Sequence, residues 1–253
     1  MQYTNLILTL CLVLATSLVD SKRILPDYIP QCKKNDRNFD QCVIKAIDAI
    51  RPHLIKGIPK IRVPALEPLK IPQIAINRNL TNVKVFAKLT NIIATGGSNF
   101  TITKLRCNTD ALTLEMSLFI PYIAVTCDYD VDGRLLVMPL KGKGVFMGNF
   151  TDITAVIKGV GEAVSNKKGV KYINIKTVKP KIDVGGQDTK FHTTDDDPNI
   201  KAITQTVATF INQNQRQVFE IVRQIVEETV GAVSKSMGNN IFSAIPLNEI
   251  LPQ

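Results

Sequence analysis

Between Pro198 and about Ser234 the sequence carries a continuous helical pattern, and no other segment restricts the fold as strongly. Placed at about 100° per residue, Val218, Phe219, Ile221, Val222, Ile225 and Val226 fill an arc of roughly 160°. Gln217, Glu220, Arg223, Gln224, Glu227 and Glu228 occupy the other side. The helix starts at Asp195-Asp196-Asp197-Pro198, with Asp197 as N-cap and Pro198 in the first helical position. Capping and the helix dipole account for three adjacent carboxylates without a metal. A helix of roughly 37 residues spans roughly 55 Å, longer than an ordinary globular helix. It requires an apolar partner of the same length.

That partner lies upstream. From about Val83 to Asp183 the apolar pattern has period 2, punctuated by turn signals at Gly96-Gly97, Asn108 to Asp110, Asp132-Gly133 and Gly142 to Gly144. These features predict a mostly antiparallel sheet with a hairpin at Asp132-Gly133. After Asp110, Leu112, Leu114, Met116, Leu118 and Ile120 share one face, opposite Thr113, Glu115 and Ser117. After Gly144, an outward Asn149 turns Phe146 and Phe150 inward, and the apolar set Ile153, Ala155 and Ile157 then changes parity, which predicts a bulge near Asp152. Ahead of the sheet, Val43, Ile47, Ile50 and Leu54 mark a shorter amphipathic helix, with Asn38 and Asp40 as capping candidates and Pro52 near its end. Gly57, Pro59, Pro64, Pro68 and Pro72 then predict an extended connector over 57–72. The expected architecture is α+β, one domain with an elongated apolar interior between sheet and helix.

Leu6 to Val19 is an apolar run of 14 residues, too short for the roughly 20 that span a bilayer. It reads as a signal peptide over residues 1–21, cleaved after Ser17 or Ser21, and leaves a secreted, extracellular domain over 22–253. No later stretch predicts a transmembrane segment. The formal charge is +9, and losing Asp20 with the signal gives +10. The lysines are scattered (Lys33, Lys34, Lys84, Lys88, Lys141, Lys143, Lys167, Lys168, Lys179, Lys181) and, with no Trp in the chain, argue for a solvated surface rather than nucleic-acid binding. Four cysteines follow the signal. Cys32 and Cys42 are expected to pair across a short loop. For Cys107 and Cys127 a bridge is expected with two buried thiols as the alternative: a meander of strands 99–107, 111–120 and 122–131 puts them two strand spacings apart, so a bend at Pro121 or strong curvature is needed. Sequons at Asn79, Asn99 and Asn149 are candidate glycosylation sites.

Motifs that carry chemistry are weak. Asp128 to Gly133 opens like a calcium loop, but Pro139 stands where the twelfth-position Glu belongs. Gly142, Gly144 and Gly148 have the wrong spacing for a dinucleotide fingerprint and read as a turn and a bend. Ser165-x-x-Lys168 lacks its companion motifs. His53 and His192 stand in separate contexts and supply neither a zinc site nor a triad. The reading is of no enzyme, no catalytic residues, no metal and no cofactor.

Several ordered segments resemble the insect juvenile-hormone-binding and takeout family of the tubular lipid-binding (TULIP) superfamily. Phe39-Asp40-Gln41-Cys42, Ile50-Arg51-Pro52-His53-Leu54 and Lys56-Gly57-Ile58-Pro59 are similar to its opening helix and exit. Val63-Pro64-Ala65-Leu66-Glu67-Pro68-Leu69 is similar to its "GIPxLDPL" element, with Val63 for Gly and Glu67 for Asp. Gly97 to Phe100, Tyr129 to Val131 with Gly133, and Pro139 to Gly144 are similar to its central strands. Phe210-Ile211-Asn212-Gln213-Asn214 resembles its "fLNeN", and Ile245 to Pro252 its "P-x-x-E-L-F-P" ending. Cys107 and Cys127 depart from its commonest members.

The resemblance implies a strongly curved antiparallel sheet wrapped around the long C-terminal helix, enclosing a hydrophobic tunnel. It also implies carriage of a juvenile-hormone-like terpenoid, a fatty acid or a similar lipid by a monomer. On the inward faces read above, the lining is expected from Leu114, Met116, Leu118, Phe146, Phe150, Phe210, Val218, Ile221 and Ile225. Tyr122, Thr126 or Asn214 are candidates to orient the ligand. The competing reading is a membrane- or lipopolysaccharide-binding defence protein. It requires a concentrated basic tip, which the scattered lysines do not suggest.

Overall fold

The computed structural model describes residues 23–253, so the expected signal segment lies outside the described residues. Helix α1 (Phe39–Leu54) leads through a short 3-10 turn at Pro59–Ile61 into six strands: β1 (Leu69–Leu80), β2 (Val83–Thr95), β3 (Thr101–Asn108), β4 (Thr113–Leu135), β5 (Met138–Ser165) and β6 (Lys171–Thr193). Helices α2 (Pro198–Gln213), α3 (Gln215–Phe242) and α4 (Leu247–Ile250) complete the chain. All strand pairs are antiparallel in the order β1-β2-β4-β5-β6, with β3 on the first half of β4.

The strands are longer than the turn signals predicted. β4 passes straight through Pro121, and its hairpin to β5 turns at Leu136-Val137, not at Asp132-Gly133, because Leu135 pairs with Met138. Gly133 and Gly144 lie inside strands instead. A Cβ at Gly133 would collide with the Lys84 carbonyl oxygen, and one at Gly144 with that of His192. These glycines serve close approach of a neighbouring strand, not a turn. β1 occupies part of the expected connector, and Pro72 is tolerated there because β1 is an edge strand.

The parity change near Asp152 is present, but no bulge produces it. Ile120 pairs with Ile153 and Tyr122 with Thr151, so the register is the same on both sides of Pro121 and Asp152. Likewise Thr151 pairs with Gly186 and Ile153 with Val184 across Asp152 and Gly185. Pro121, Asp152 and Gly185 thus form an unpaired row across three strands, with Asp152 at φ 51°. Ile120, Ile153 and Val184 face the helix on one side of the row; Ile123 and Phe150 face it on the other. All three strands change face together.

The C-terminal helix is also two pieces. Asn214 leaves helical geometry at φ −121° and ψ 39°, its side-chain amide donates to the Phe210 carbonyl at 2.9 Å, and α3 then runs on to Phe242. Asp197 caps α2 by accepting from the Asn199 N–H. Glu227, placed on the polar side by periodicity, is only 7% exposed. Its carboxylate accepts the Ile182 N–H at 3.0 Å and pairs with Lys181 at 2.9 Å on β6, while the adjacent Glu228 pairs with Arg78 on β1 at 2.7 Å. Neighbouring helical residues therefore reach opposite edges of the sheet, which shows how far it curls around α3.

The β6 edge is closed by side chains instead of another strand. Asn239 accepts from the Ile175 N–H at 2.6 Å and donates back to its carbonyl at 3.2 Å. Further along, Gln215 accepts from the Gln187 N–H at 3.4 Å, and Asn212 brackets both backbone groups of Thr189 at 3.0 and 2.7 Å. Backbone groups that an open edge leaves free are satisfied by the helix.

Cys32 and Cys42 are bonded, with 5.7 Å between Cα atoms. Cys107 and Cys127 are free thiols, so the expected second bridge is not formed. Cys107 stands opposite Leu114, and Cys127 lies thirteen residues further along the same β4, about 43 Å at the usual rise per residue.

Candidate functional site

An apolar cavity of about 530 Å³ occupies the α1 end of the molecule. Val43, Ile47 and Ile50 of α1 form one wall. They face inward because they fall one helical turn apart on the apolar stripe. Leu105, Leu114 and Met116 come from the β3–β4 ladder, and Gly159, Gly161, Ile173 and Ile175 from β5 and β6. Ile241, Ile245 and Ile250, at the end of α3 and beyond it, complete the enclosure. Next to Gly159 the space is open enough that an added Cβ would meet its nearest neighbour, the Leu114 Cβ, at 3.7 Å.

α1 is held down from every side. The disulfide ties it to the segment before it. Asp40 accepts the Cys107 N–H of β3 at 2.8 Å, and Arg51 donates to the carbonyls of Ser98 and Phe100. Behind it, Glu67 accepts the N–H groups of Gly96 at 2.9 Å and Ser98 at 2.8 Å. Burial raises the Glu67 carboxyl, but these donors outweigh it and hold the group below its ordinary value. Glu249 accepts the Ile24 and Leu25 N–H groups, each at 2.9 Å, and the Lys34 N–H donates to the Pro252 carbonyl at 2.8 Å. The motif-bearing termini are therefore clamps around the cavity.

The lining carries little charge. No Lys or Arg side chain contributes to it, and the Glu249 carboxylate is engaged with backbone. The Cys107 thiol also lines the space, where burial, followed by the nearby Asp40 carboxylate, pushes it up to about 12. It remains protonated. Gln31, Asn108, Thr109 and Thr113 supply neutral polar groups. Such a lining suits an apolar body with one uncharged polar end.

Of the nine residues expected as lining, the structure brings Leu114 and Met116 to this cavity. Leu118 and Phe150 pack around Phe219, while Phe210, Val218, Ile221 and Ile225 pack against Val83, Val85 and Leu135. Phe146 rests against Phe191 at 5.1 Å between ring centroids. The three candidate orienting groups lie elsewhere: the Tyr122 hydroxyl donates to Asn149 Oδ1 at 2.8 Å on the outer surface, Thr126 is exposed, and Asn214 caps the helix break. Asn79, Asn99 and Asn149 are all exposed. His53 stacks on Tyr28 at 3.9 Å, and His192 is exposed. The contributions from α1 and the C-terminal tail were missed. Their signal was an apolar stripe on α1 to which no partner had been assigned. Among the described residues no helix is long and apolar enough to cross a membrane, and no His, Cys, Asp or Glu cluster is arranged to hold a metal.

Comparison with known proteins follows the same outline. The profile of the haemolymph juvenile hormone binding protein (JHBP) family matches residues 7–252. The chain is 24% identical over 239 residues to the circadian clock-controlled protein daywake of Drosophila melanogaster, covering 91% of this chain and 90% of that one. It is 20% identical over 224 residues to a Schistocerca gregaria protein named for proposed beta-carotene binding, covering 85% and 84%. The crystal structure of Epiphyas postvittana Takeout 1 superposes with a TM-score of 0.67 at 22% identity, over 88% of this chain and 99% of that one. The shared fold is the curled sheet with its long C-terminal helix.

Proposed function

Because the chain belongs to the haemolymph juvenile hormone binding protein family, we propose that it is an extracellular carrier holding one elongated apolar molecule beneath α1. The observation that carries this reading is the 530 Å³ apolar cavity, whose lining holds no Lys or Arg and whose one carboxylate, Glu249, is engaged with backbone. Its volume lies within the roughly 300–1,000 Å³ of small-molecule sites. Burying roughly 500 Å² of ligand at about 25 cal/mol per Å² contributes about 12 kcal/mol, and association costs of several kcal/mol leave micromolar affinity or better. A terpenoid ester or another uncharged lipid fits better than an ionised fatty acid, whose carboxylate finds no cation in the lining. The Schistocerca relative, with its carotenoid-directed name, supports the same chemical class.

The test is organic extraction of the purified protein followed by mass spectrometry, together with titration of an apolar fluorescent probe. A stoichiometric neutral lipid, or saturable micromolar probe binding, is the expected result. Absence of both overturns the carrier reading.

A further inference from the structure

Charge is not spread evenly over the folded surface. Between Glu162 and Asp183 the sequence contains six lysines and no acidic residue, and this stretch is the β5–β6 hairpin with the first half of β6. Its tip carries Lys167, Lys168 and Lys171, all exposed and free of ion pairs among the described residues. Two exposed apolar side chains sit among them, Val164 at 40% and Val170 at 37%. The loop is pre-ordered: Asn166 Oδ1 accepts the N–H groups of Lys168 at 2.9 Å and Val170 at 3.1 Å, and Gly169 closes the turn at φ 77°. On the outer face behind the tip, Lys158 of β5 lies directly opposite Lys179 of β6.

This hairpin is the continuation of two strands that wall the cavity, through Gly161 and Ile173. Five residues from Gly161 to Asn166 place the tip about 16 Å beyond the cavity wall. The opposite hairpin is different. There Lys84, Arg134 and Lys141 are interleaved with Asp130 and Asp132, and the Asn79 sequon pairs directly with Lys84. Asn99 and Asn149 also lie away from the β5–β6 tip, so glycans at the three sequons leave it clear.

We propose that the β5–β6 tip docks the cavity end of the protein onto an anionic phospholipid surface. Lysines without acidic partners answer the phosphate and carboxylate charge of such a surface, and the valines between them insert at its boundary. That combination selects a bilayer over an anionic polysaccharide, which offers nothing to the valines. Docking brings the cavity wall to within about 16 Å of the lipid surface, which shortens the path that cargo travels between cavity and bilayer. The exchange step rests on the carrier reading; the docking step does not.

The experiment is sedimentation of the full chain with phosphatidylcholine vesicles with and without phosphatidylserine, at low and high salt. Lys167→Gln, Lys168→Gln and Lys171→Gln together form the test variant. Lys84→Gln, Arg134→Gln and Lys141→Gln together form the charge-matched control. Each tip lysine is expected to be worth roughly fivefold in partitioning, so the test variant loses on the order of 100-fold while the control loses far less. Binding is expected only to the anionic vesicles and to weaken with salt. Equal loss in both variants, no binding of the unaltered protein, or retention on heparin without binding to vesicles overturns the proposal. Vesicle binding that persists where no apolar probe binds in solution refutes the carrier reading alone.

Discussion

Replacing Glu227 tests whether helix side chains stand in for a missing strand. Its carboxylate makes two contacts of unequal weight: the Ile182 N–H at 3.0 Å, which is buried, and Lys181, whose side chain is 78% exposed. An exposed ammonium contributes roughly 0–1 kcal/mol. A buried N–H left without an acceptor costs roughly 1–3 kcal/mol. Glu227→Gln keeps an acceptor for Ile182 and loses only the ion pair, so it is expected to cost about 1 kcal/mol or less. Glu227→Ala loses both contacts and is expected to cost about 1–4 kcal/mol. With a urea m-value of about 2 kcal/mol/M, that lowers the unfolding midpoint by about 0.5–2 M. The pH dependence carries a definite sign. Burial raises the Glu227 carboxyl, but Lys181 and the Ile182 N–H outweigh it and hold it below the ordinary value. Its charge-linked stabilisation is therefore complete above the unfolded pKa of about 4.3 and fades as pH falls through the lower folded value. The gap between the native protein and Glu227→Gln should narrow on acidification. If Gln costs as much as Ala, or Ala costs less than about 0.5 kcal/mol, edge closure by the helix is not what holds β6.

Three further outcomes are expected. Gly159→Leu projects into the cavity past Leu114 and should weaken apolar-probe binding at least about tenfold without lowering the urea midpoint, since it fills existing space; unchanged probe affinity would remove this cavity as the site. Denaturation without reductant followed by alkylation should add two adducts, at Cys107 and Cys127, detected by mass spectrometry. In the native protein both should react slowly below about pH 9, because burial, with Asp40 and Asp128 respectively, pushes them up to about 12 and about 11; an unreactive denatured chain would mean that the bridge forms after all. Gly185→Ala places a Cβ 2.7 Å from that of Asp152 and should destabilise by about 1–3 kcal/mol. Asp152→Gly removes that contact and relieves the positive φ, so the double variant should recover most of the loss; simple additivity would refute coupling across the row.

The parts legible in the sequence were those fixed by local periodicity: the Asp197 cap, the apolar arc of α3 and the shared face of Leu114 to Ile120; Leu112, expected on that face of the strand, is instead a turn residue at φ 49°. The parts that were not legible depend on neighbours distant in sequence. Gly133 and Gly144 look like turn residues, and only the carbonyls of Lys84 and His192, brought in by other strands, show why glycine is required. Pro121 looks like a strand end. It lies in mid-strand because Asp152 and Gly185 share its unpaired row. Asn212, Glu227 and Asn239 look solvated on a helical wheel, and they are instead the acceptors for the β6 edge.

The cavity was obscured for a related reason. An apolar face that packs and one that borders a void have the same composition, so Leu114 and Leu118, two steps apart on one face of β4, could not be told apart. The structure separates them by what lies across from each. Leu118 meets the Phe219 cluster of α3. Leu114 faces α1, where the disulfide, Asp40 and Arg51 contacts and the Glu249 clamp fix the backbone around the space. A void survives only where the surrounding backbone is prevented from collapsing onto it. Polar clamps at the two termini, more than the apolar residues they surround, therefore determine where the cavity lies. The same residues carry the family resemblance, which is how motifs of mostly polar and turn-forming residues can mark a protein built to hold an apolar molecule.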